Sequence, residues 1–299
     1  MDKHITPSPL YITAINSFET TSPEEMDLKA NIKDIFGKQI RRIGPFIQLA
    51  LIGAAPVIRH APLPEATNVY LTSGSGDMDV TIDVLNRTVR DKLTPKPLSF
   101  INTVSNAACY YLTKHFAIGG STSFLSTRGF SLESAFLQAL TDTNVFNVET
   151  AIVGSVDILT QDETSHRIRV GATPNEPLAQ GTHWFRLNAN AQTTPSVGQL
   201  HHVSMHSDSA DLIEKIKPYL TDRTFLCLGN RTTTSSQKEL KALNLKTYTP
   251  NHPSKGHYGT NMGHTLYSFL EDNSQKDTQL LHVQENSRGE LSAVIISKS

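Results

Sequence analysis

Cysteine is scarce in this chain, charge is nowhere concentrated, and no long apolar run interrupts it. Each shortage removes a class of function. The two cysteines, Cys109 and Cys227, each sit in an apolar stretch, and neither stands at zinc-ligand spacing from another ligand. They read as buried free thiols in a reducing compartment. Lysine and arginine number 27 against 28 aspartates and glutamates, and no basic run exceeds two residues. That balance leaves no electrostatic footprint for nucleic acid or an anionic membrane. The longest apolar run, residues 46–58, contains Gln48, Gly53 and Pro56, and it is too short for membrane insertion. Residues 1–15 carry acidic and proline residues where a signal peptide needs an unbroken apolar segment, so a cytoplasmic protein is expected.

Nucleotide and metal motifs are missing too. Ser73-Gly74-Ser75-Gly76 is a glycine turn without the G-K-S/T or G-x-G-x-x-G context of phosphate binding. His201, His202 and His206 form one histidine group, and His252, His257 and His264 another. Neither has the spacing of a standard zinc site, so no metal and no cofactor are expected. No period of 20 to 50 residues indicates a repeat array.

What is present is an α/β rhythm. With 299 residues, 38% of them hydrophobic, the chain can bury a large core as one domain or two intimate halves. Period-2 and continuous apolar runs predict strands at residues 10–15, 69–72, 120–126, 149–157, 198–204, 224–228, 279–284 and 291–297. Helical spacing predicts helices at 44–55, 77–86, 209–219, 236–243 and 260–270, with a helix start at Ser22-Pro23-Glu24-Glu25. Residues 158–197 are weaker, with short strands expected at 167–170 and 184–189. The pattern makes two tandem βαβ-type halves, residues 1–160 and 161–299.

The centre of the chain is residues 96–140. A helix, a glycine turn and the strand 120–126 lead directly into a second helix that buries Leu132, Ala135, Phe136, Ala139 and Leu140. The joining turn is Ser126-Thr127-Arg128-Gly129. Helix N–H groups and the helix dipole stabilise negative charge there, which suits a nucleophile or a bound anion. Arg128 is no nucleophile, because its guanidinium stays protonated; an ordinary helix-start arginine paired with Glu133 is the plainer reading.

The run Thr103-Val104-Ser105-Asn106, then Gly119-Gly120-Ser121, then Leu125-Ser126-Thr127-Arg128 resembles, without a gap, the β-ketoacyl synthase stretch that passes a G-P-S/N turn to a T-A-C nucleophile elbow. Val69-Tyr70-Leu71-Thr72 with Ser73-Gly74-Ser75-Gly76-Asp77 is similar to the preceding strand and turn of that family. In this register the catalytic cysteine falls on Arg128. Two histidine motifs follow the same course. The H-G-T-G-T position reads Leu228-Gly229-Asn230-Arg231-Thr232, so its histidine is Leu228; Ser236 and Glu239 take the following acidic positions. The K-S-x-x-G-H motif resembles His252-Pro253-Ser254-Lys255-Gly256-His257, with the histidine at His257, or at His264 in a shifted register. The G-F-G-G turn has become Ser287-Arg288-Gly289-Glu290.

This resemblance implies a thiolase-like layered αβαβα fold and a ketosynthase without its chemistry. It is the pattern of chain-length factors, the non-condensing partners of type II polyketide and aryl polyene ketosynthases. It further implies a heterodimer with an active β-ketoacyl synthase, and contact with acyl carrier protein through that complex. Residues 120–126 would pair antiparallel with the partner's strand. Met78, Val80, Thr81, Asn106, Tyr110, Ser121, Ser123 and Phe124 would line the interface and the end of the partner's acyl tunnel. Arg41-Arg42 resembles a pair found ahead of the equivalent helix, or is simply solvated. Tyr110, Tyr111 and Phe116 are, on residue type alone, core. Two other readings stay open: a malonyl-carrier-protein decarboxylase using Arg128 and His257, and a self-associating binding module.

Overall fold

The computed structural model describes residues 8–127, 129–190 and 195–299. β1 (Leu10–Thr20) is followed by a 3₁₀ turn at Pro23–Glu25, where Ser22 accepts from the Glu24 N–H at 3.3 Å. α1 (Leu28–Phe36) starts on the Asp27 carboxylate, which accepts from the N–H groups of Lys29 and Ala30, and ends at Gly37 with φ +67°. This is capping by side chain at one end and by a left-handed glycine at the other. α2 (Pro45–Arg59) buries twelve of its fifteen residues, so it lies inside the protein and not along its surface. β2 (Asn68–Ser73), α3 (Met78–Leu85), a π turn at Asn86–Arg90, α4 (Pro97–Asn102), α5 (Ala107–Phe116), β3 (Thr122–Ser126), α6 (Ser131–Phe146), β4 (Thr150–Asp157), α7 (Glu163–Val170) and β5 (Gln180–Asn188) follow. The remaining elements are β6 (Gly198–His206), α8 (Ser209–Ile216), β7 (Thr224–Leu228), α9 (Thr234–Leu240), β8 (Lys246–Thr247), α10 (Met262–Glu271), β9 (Gln279–Glu285) and β10 (Leu291–Lys298).

The strands run in the order β3-β2-β4-β5-β1-β6-β10-β9-β7-β8. From its two ends inward this order repeats: β3, β2, β4, β5, β1 answer β8, β7, β9, β10, β6. In each half the outer three strands pair in parallel and the inner ones antiparallel. The halves join through three pairs, from Leu10↔Leu200 to Ile12↔Gly198. β5 begins beyond the residue-160 division yet pairs with β4 and β1.

Alternation along the strands builds the layers. In β4, Ile152 and Val156 face α2 and α5, while Ala151 and Val153 face α6. In β10, Ala293 and Ile295 face α8, while Val294 and Ile296 point to the middle. The result is three apolar clusters. One lies under α2, one under α8 and α9, and the central one is built on Leu132, Phe136 and Ala139 of α6 with Leu266 and Phe269 of α10. Helices, half-sheet, central helices, half-sheet, helices: this is the five-layer αβαβα arrangement. The single tryptophan is locked into the first half, because Trp184 fits against two glycines. A Cβ on Gly53 would lie 2.5 Å from its Nε1, and one on Gly154 only 2.2 Å from its ring.

Three sequence expectations change. Residues 167–170 are the end of helix α7, not a strand. Asp162 accepts from the Ser165 N–H, Glu163 pairs with Arg167 one turn on, and Gly171 at φ +70° closes the helix. These capping signals outweigh the β-branched content of so short a run. Tyr110 is not core but 56% exposed. β1 extends five residues beyond residue 15, to Thr20, because its second part pairs with β5 down to Thr20↔Gln180.

Candidate functional site

β3 passes into α6 through a turn that is held from every side. Ser131, the first residue of α6, donates to the carbonyls of Thr127 (2.7 Å) and Ser73 (3.1 Å). Gln284 of β9 donates to the Gly129 carbonyl at 3.0 Å. Gly129 has φ +121°, and a Cβ there would stand 2.6 Å from Asn286 Cβ, so both conformation and space demand glycine. Arg128, the residue placed at the nucleophile position by the sequence, lies outside the described residues.

Beside this elbow the two halves meet back to back. A Cβ on Gly74 would approach Gly259 Cα to 2.9 Å, and the reverse substitution is just as tight. The carboxylate of Asp157, at the end of β4, ties the contact together. It accepts from Ser73 Oγ (2.7 Å), the Gly74 N–H (2.9 Å) and Thr260 Oγ1 (2.8 Å). Burial pushes its pKa up, and the hydrogen bonds offset that only in part. Between elbow and junction opens a cleft of about 490 Å³, walled by Ser75, Met78, Ser126, Thr127 and Asp157 on one side and by α7 and Arg231 on the other.

Glu133 lies one turn into α6, wholly buried, and accepts from Ser292 Oγ at 2.9 Å. The pairing with Arg128 expected from the sequence falls on a residue outside the described ones. Burial pushes the Glu133 carboxyl from 4.5 up to about 7. Between those values the folded chain holds a proton that the unfolded chain has released, so stability falls as pH rises. The loss from this group reaches roughly 3 kcal/mol. Glu133→Gln is therefore expected to match the wild type at acid pH and to be more stable by up to that amount above about pH 8. Urea unfolding of both proteins at the two pH values tests this; a constant difference would refute it. Buried imidazoles act with the opposite sign below 6.5, His183 being pushed down to about 3 and His282 to about 4 by burial. The comparison of the two proteins isolates the carboxyl.

The other expected site residues separate into two places. Leu228 ends β7 and packs into the outer cluster beneath α8 and α9. His257 lies on the loop before α10, with Nε2 3.5 Å from Glu176. His264, in the first turn of α10, turns Nδ1 to Glu19 (3.3 Å) and donates from Nε2 to the His252 carbonyl at 2.7 Å. Its neighbours form a buried chain, Ser17 to His183 to Tyr258 to Glu19, so it serves the interior and not the cleft. Cys109 and Cys227 are both core, with thiols pushed up to about 12 by burial, and neither lines the cleft.

Met78 lines the cleft, while Val80 and Thr81 continue the half-buried face of α3. Asn106 and Tyr110 stand exposed on α5. Ser121, Ser123 and Phe124 lie along β3, which among the described residues pairs only with β2 and leaves its other edge open. Around them, α3 and α4 contain no buried residue at all. Leu85, Val89, Leu93, Leu98, Phe100, Ile101, Val104 and Tyr110 make up eight of the twelve exposed large apolar side chains among the described residues. The asparagine and glutamine of the elbow's support, Asn286 and Gln284, and the Asp157 junction are not marked by any motif in the sequence.

No protein-family model and no curated protein matches the chain by sequence. Solved structures do match. The ishigamide ketosynthase/chain length factor superposes with a TM-score of 0.77 at 13% identity, covering 97% of this chain and 99% of the other. The fold is that of ketosynthases and their chain length factors. AntDE:AntF, a type II polyketide synthase acyl-carrier protein in complex with its ketosynthase, matches with a TM-score of 0.72 at 12% identity over 98% of this chain and 100% of that one. The ketosynthase ApeO in complex with its chain length factor ApeC, from Xenorhabdus doucetiae, matches with a TM-score of 0.56 at 13% identity over 97% and 99%. Within this ketosynthase-like fold, no helix of the described residues is long and apolar enough to cross a membrane.

Proposed function

We propose that this chain is a non-catalytic chain-length factor that pairs with an active β-ketoacyl synthase in the cytoplasm and meets acyl carrier protein through that complex. The observation that carries the reading is the uncovered apolar face of α3, α4 and α5 beside the open edge of β3. An uncovered apolar surface beside an open strand edge is what a partner subunit would cover. The elbow sequence Thr127-Arg128-Gly129 contains no thiol, and both cysteines are core. Condensation would then be performed by the partner, whose strand would extend the sheet at β3. Arg128, Leu228 and His257 are vestiges of the missing chemistry in this account.

Co-expression with a β-ketoacyl synthase that keeps its cysteine and both histidines, followed by size-exclusion chromatography, tests the proposal. A stoichiometric heterodimer is expected, with condensing activity that survives Arg128→Ala here and disappears when the partner's nucleophile is removed. A chain that condenses acyl groups alone would overturn it. The α3 face supplies a finer test. If Met78, Val80 and Thr81 close the partner's tunnel, Val80→Phe is expected to shift the product distribution to shorter chains by mass spectrometry, with the heterodimer intact. An unchanged product spectrum would remove α3 from that role.

A further inference from the structure

The cleft beside the elbow is built for a ligand that the partner reading does not need. Its far wall is α7, and two cations and an imidazole face inward from that side. Arg169 donates to Thr160 Oγ1 at 3.1 Å and makes no ion pair among the described residues. Arg231 donates to the carbonyls of Val170 (2.9 Å) and Arg169, which end α7, and so carries no carboxylate partner either. His166 is 2% exposed and lines the cleft. Its Nδ1 is 3.3 Å from Thr160 Oγ1, whereas its Nε2 has no partner among the described residues. A buried ring nitrogen without a partner costs about 1 to 3 kcal/mol, so a ligand atom that meets it removes a penalty.

The opposite wall supplies hydrogen-bond donors. α6, sixteen residues long, begins here without a side-chain cap on its first N–H groups. Ser75, Ser126 and Ser287 line the same space. Asp157, the acid in the cleft lining, is engaged by three donors. Met78, Val170 and the 78% exposed Ile168 add an apolar strip at the side and mouth. Positive charge, a helix N-terminus and an unpartnered imidazole next to an apolar wall describe one chemical class.

We propose that this cleft binds a small amphiphilic oxyanion, a carboxylate or phosphate monoester on a short apolar group, with Arg169 and His166 as its polar contacts. The assignment goes beyond the partner reading and holds whether or not a ketosynthase docks on the other face.

Isothermal titration of the full chain with hexanoate, and separately with inorganic phosphate, tests it. Saturable millimolar or tighter binding of hexanoate is expected, weakened at least about tenfold in Arg169→Gln, the loss of one charge-assisted contact. Binding of phosphate with the same sensitivity supports the site and assigns the phosphate class. Arg169 is half-exposed, so the variant is expected to keep the wild-type Tm; His166→Gln, which alters the buried nitrogen instead, gives an independent second loss. Absence of saturable binding by either probe, or binding that both variants leave unchanged, overturns the proposal.

Discussion

Phe100→Glu combined with Ile101→Glu is expected to abolish association with the ketosynthase while leaving the isolated chain folded. Both side chains project from α4, 60% and 56% exposed, at the middle of the uncovered apolar face. Central apolar anchors of an interface contribute about 2 to 4 kcal/mol each when truncated, and a charge buried without a partner adds to that loss. The combined effect should weaken association by at least about a thousandfold. Exposed positions away from the core change stability by only about 0.5 kcal/mol, so the Tm of the free chain should hardly move. Pull-down with the tagged synthase gives the first result and thermal unfolding the second. Retention of the complex would show that this face is not the seat.

The second large effect concerns the slot around Trp184. Gly154→Ala places a methyl 2.2 Å from the indole, in a strand paired on both sides by β2 and β5, so neither partner has room to move. Overpacking of this kind costs about 1 to 3 kcal/mol and more where the backbone is fixed. Trp184→Ala is expected to cost about 3 to 5 kcal/mol, from lost burial and the void it leaves. Because the two changes act on the same space with opposite signs of volume, the double variant should be less damaged than the sum. Urea denaturation of the two single variants and the double measures this. Strict additivity would mean that the ring and the two glycines are not one packing unit.

Much of the fold was legible because the signals were local. β4 reads as an apolar run and is buried on both faces; α6 carries its stripe at Leu132, Ala135, Phe136 and Ala139, all buried. The ketosynthase-like likeness around residues 69–140 also pointed to the right fold, which the solved structures share. What stayed hidden depends on contacts distant in sequence. Asp157 is joined to Gly74 across 83 residues and to Thr260 across 103, and no window along the chain contains both. α7 was misread because an eight-residue helix with three charges on it has little periodicity, and its evidence lies in the caps Asp162 and Gly171. His166 and Arg169 vanished with it as candidate residues, since their meeting at the cleft follows only from that helix.

The two ends of the sheet are unlike. β3 exposes a five-residue margin, whereas β8 is a two-residue stub that carries Lys246 and offers almost no backbone to another strand. Short, charged margins resist further pairing. Edge-to-edge growth through β3 would therefore consume the sticky margin of each participant at the first encounter and present stubs at both outer limits. Such an assembly is self-terminating: it counts to two, and fibre formation by strand addition is closed off by geometry and not by affinity.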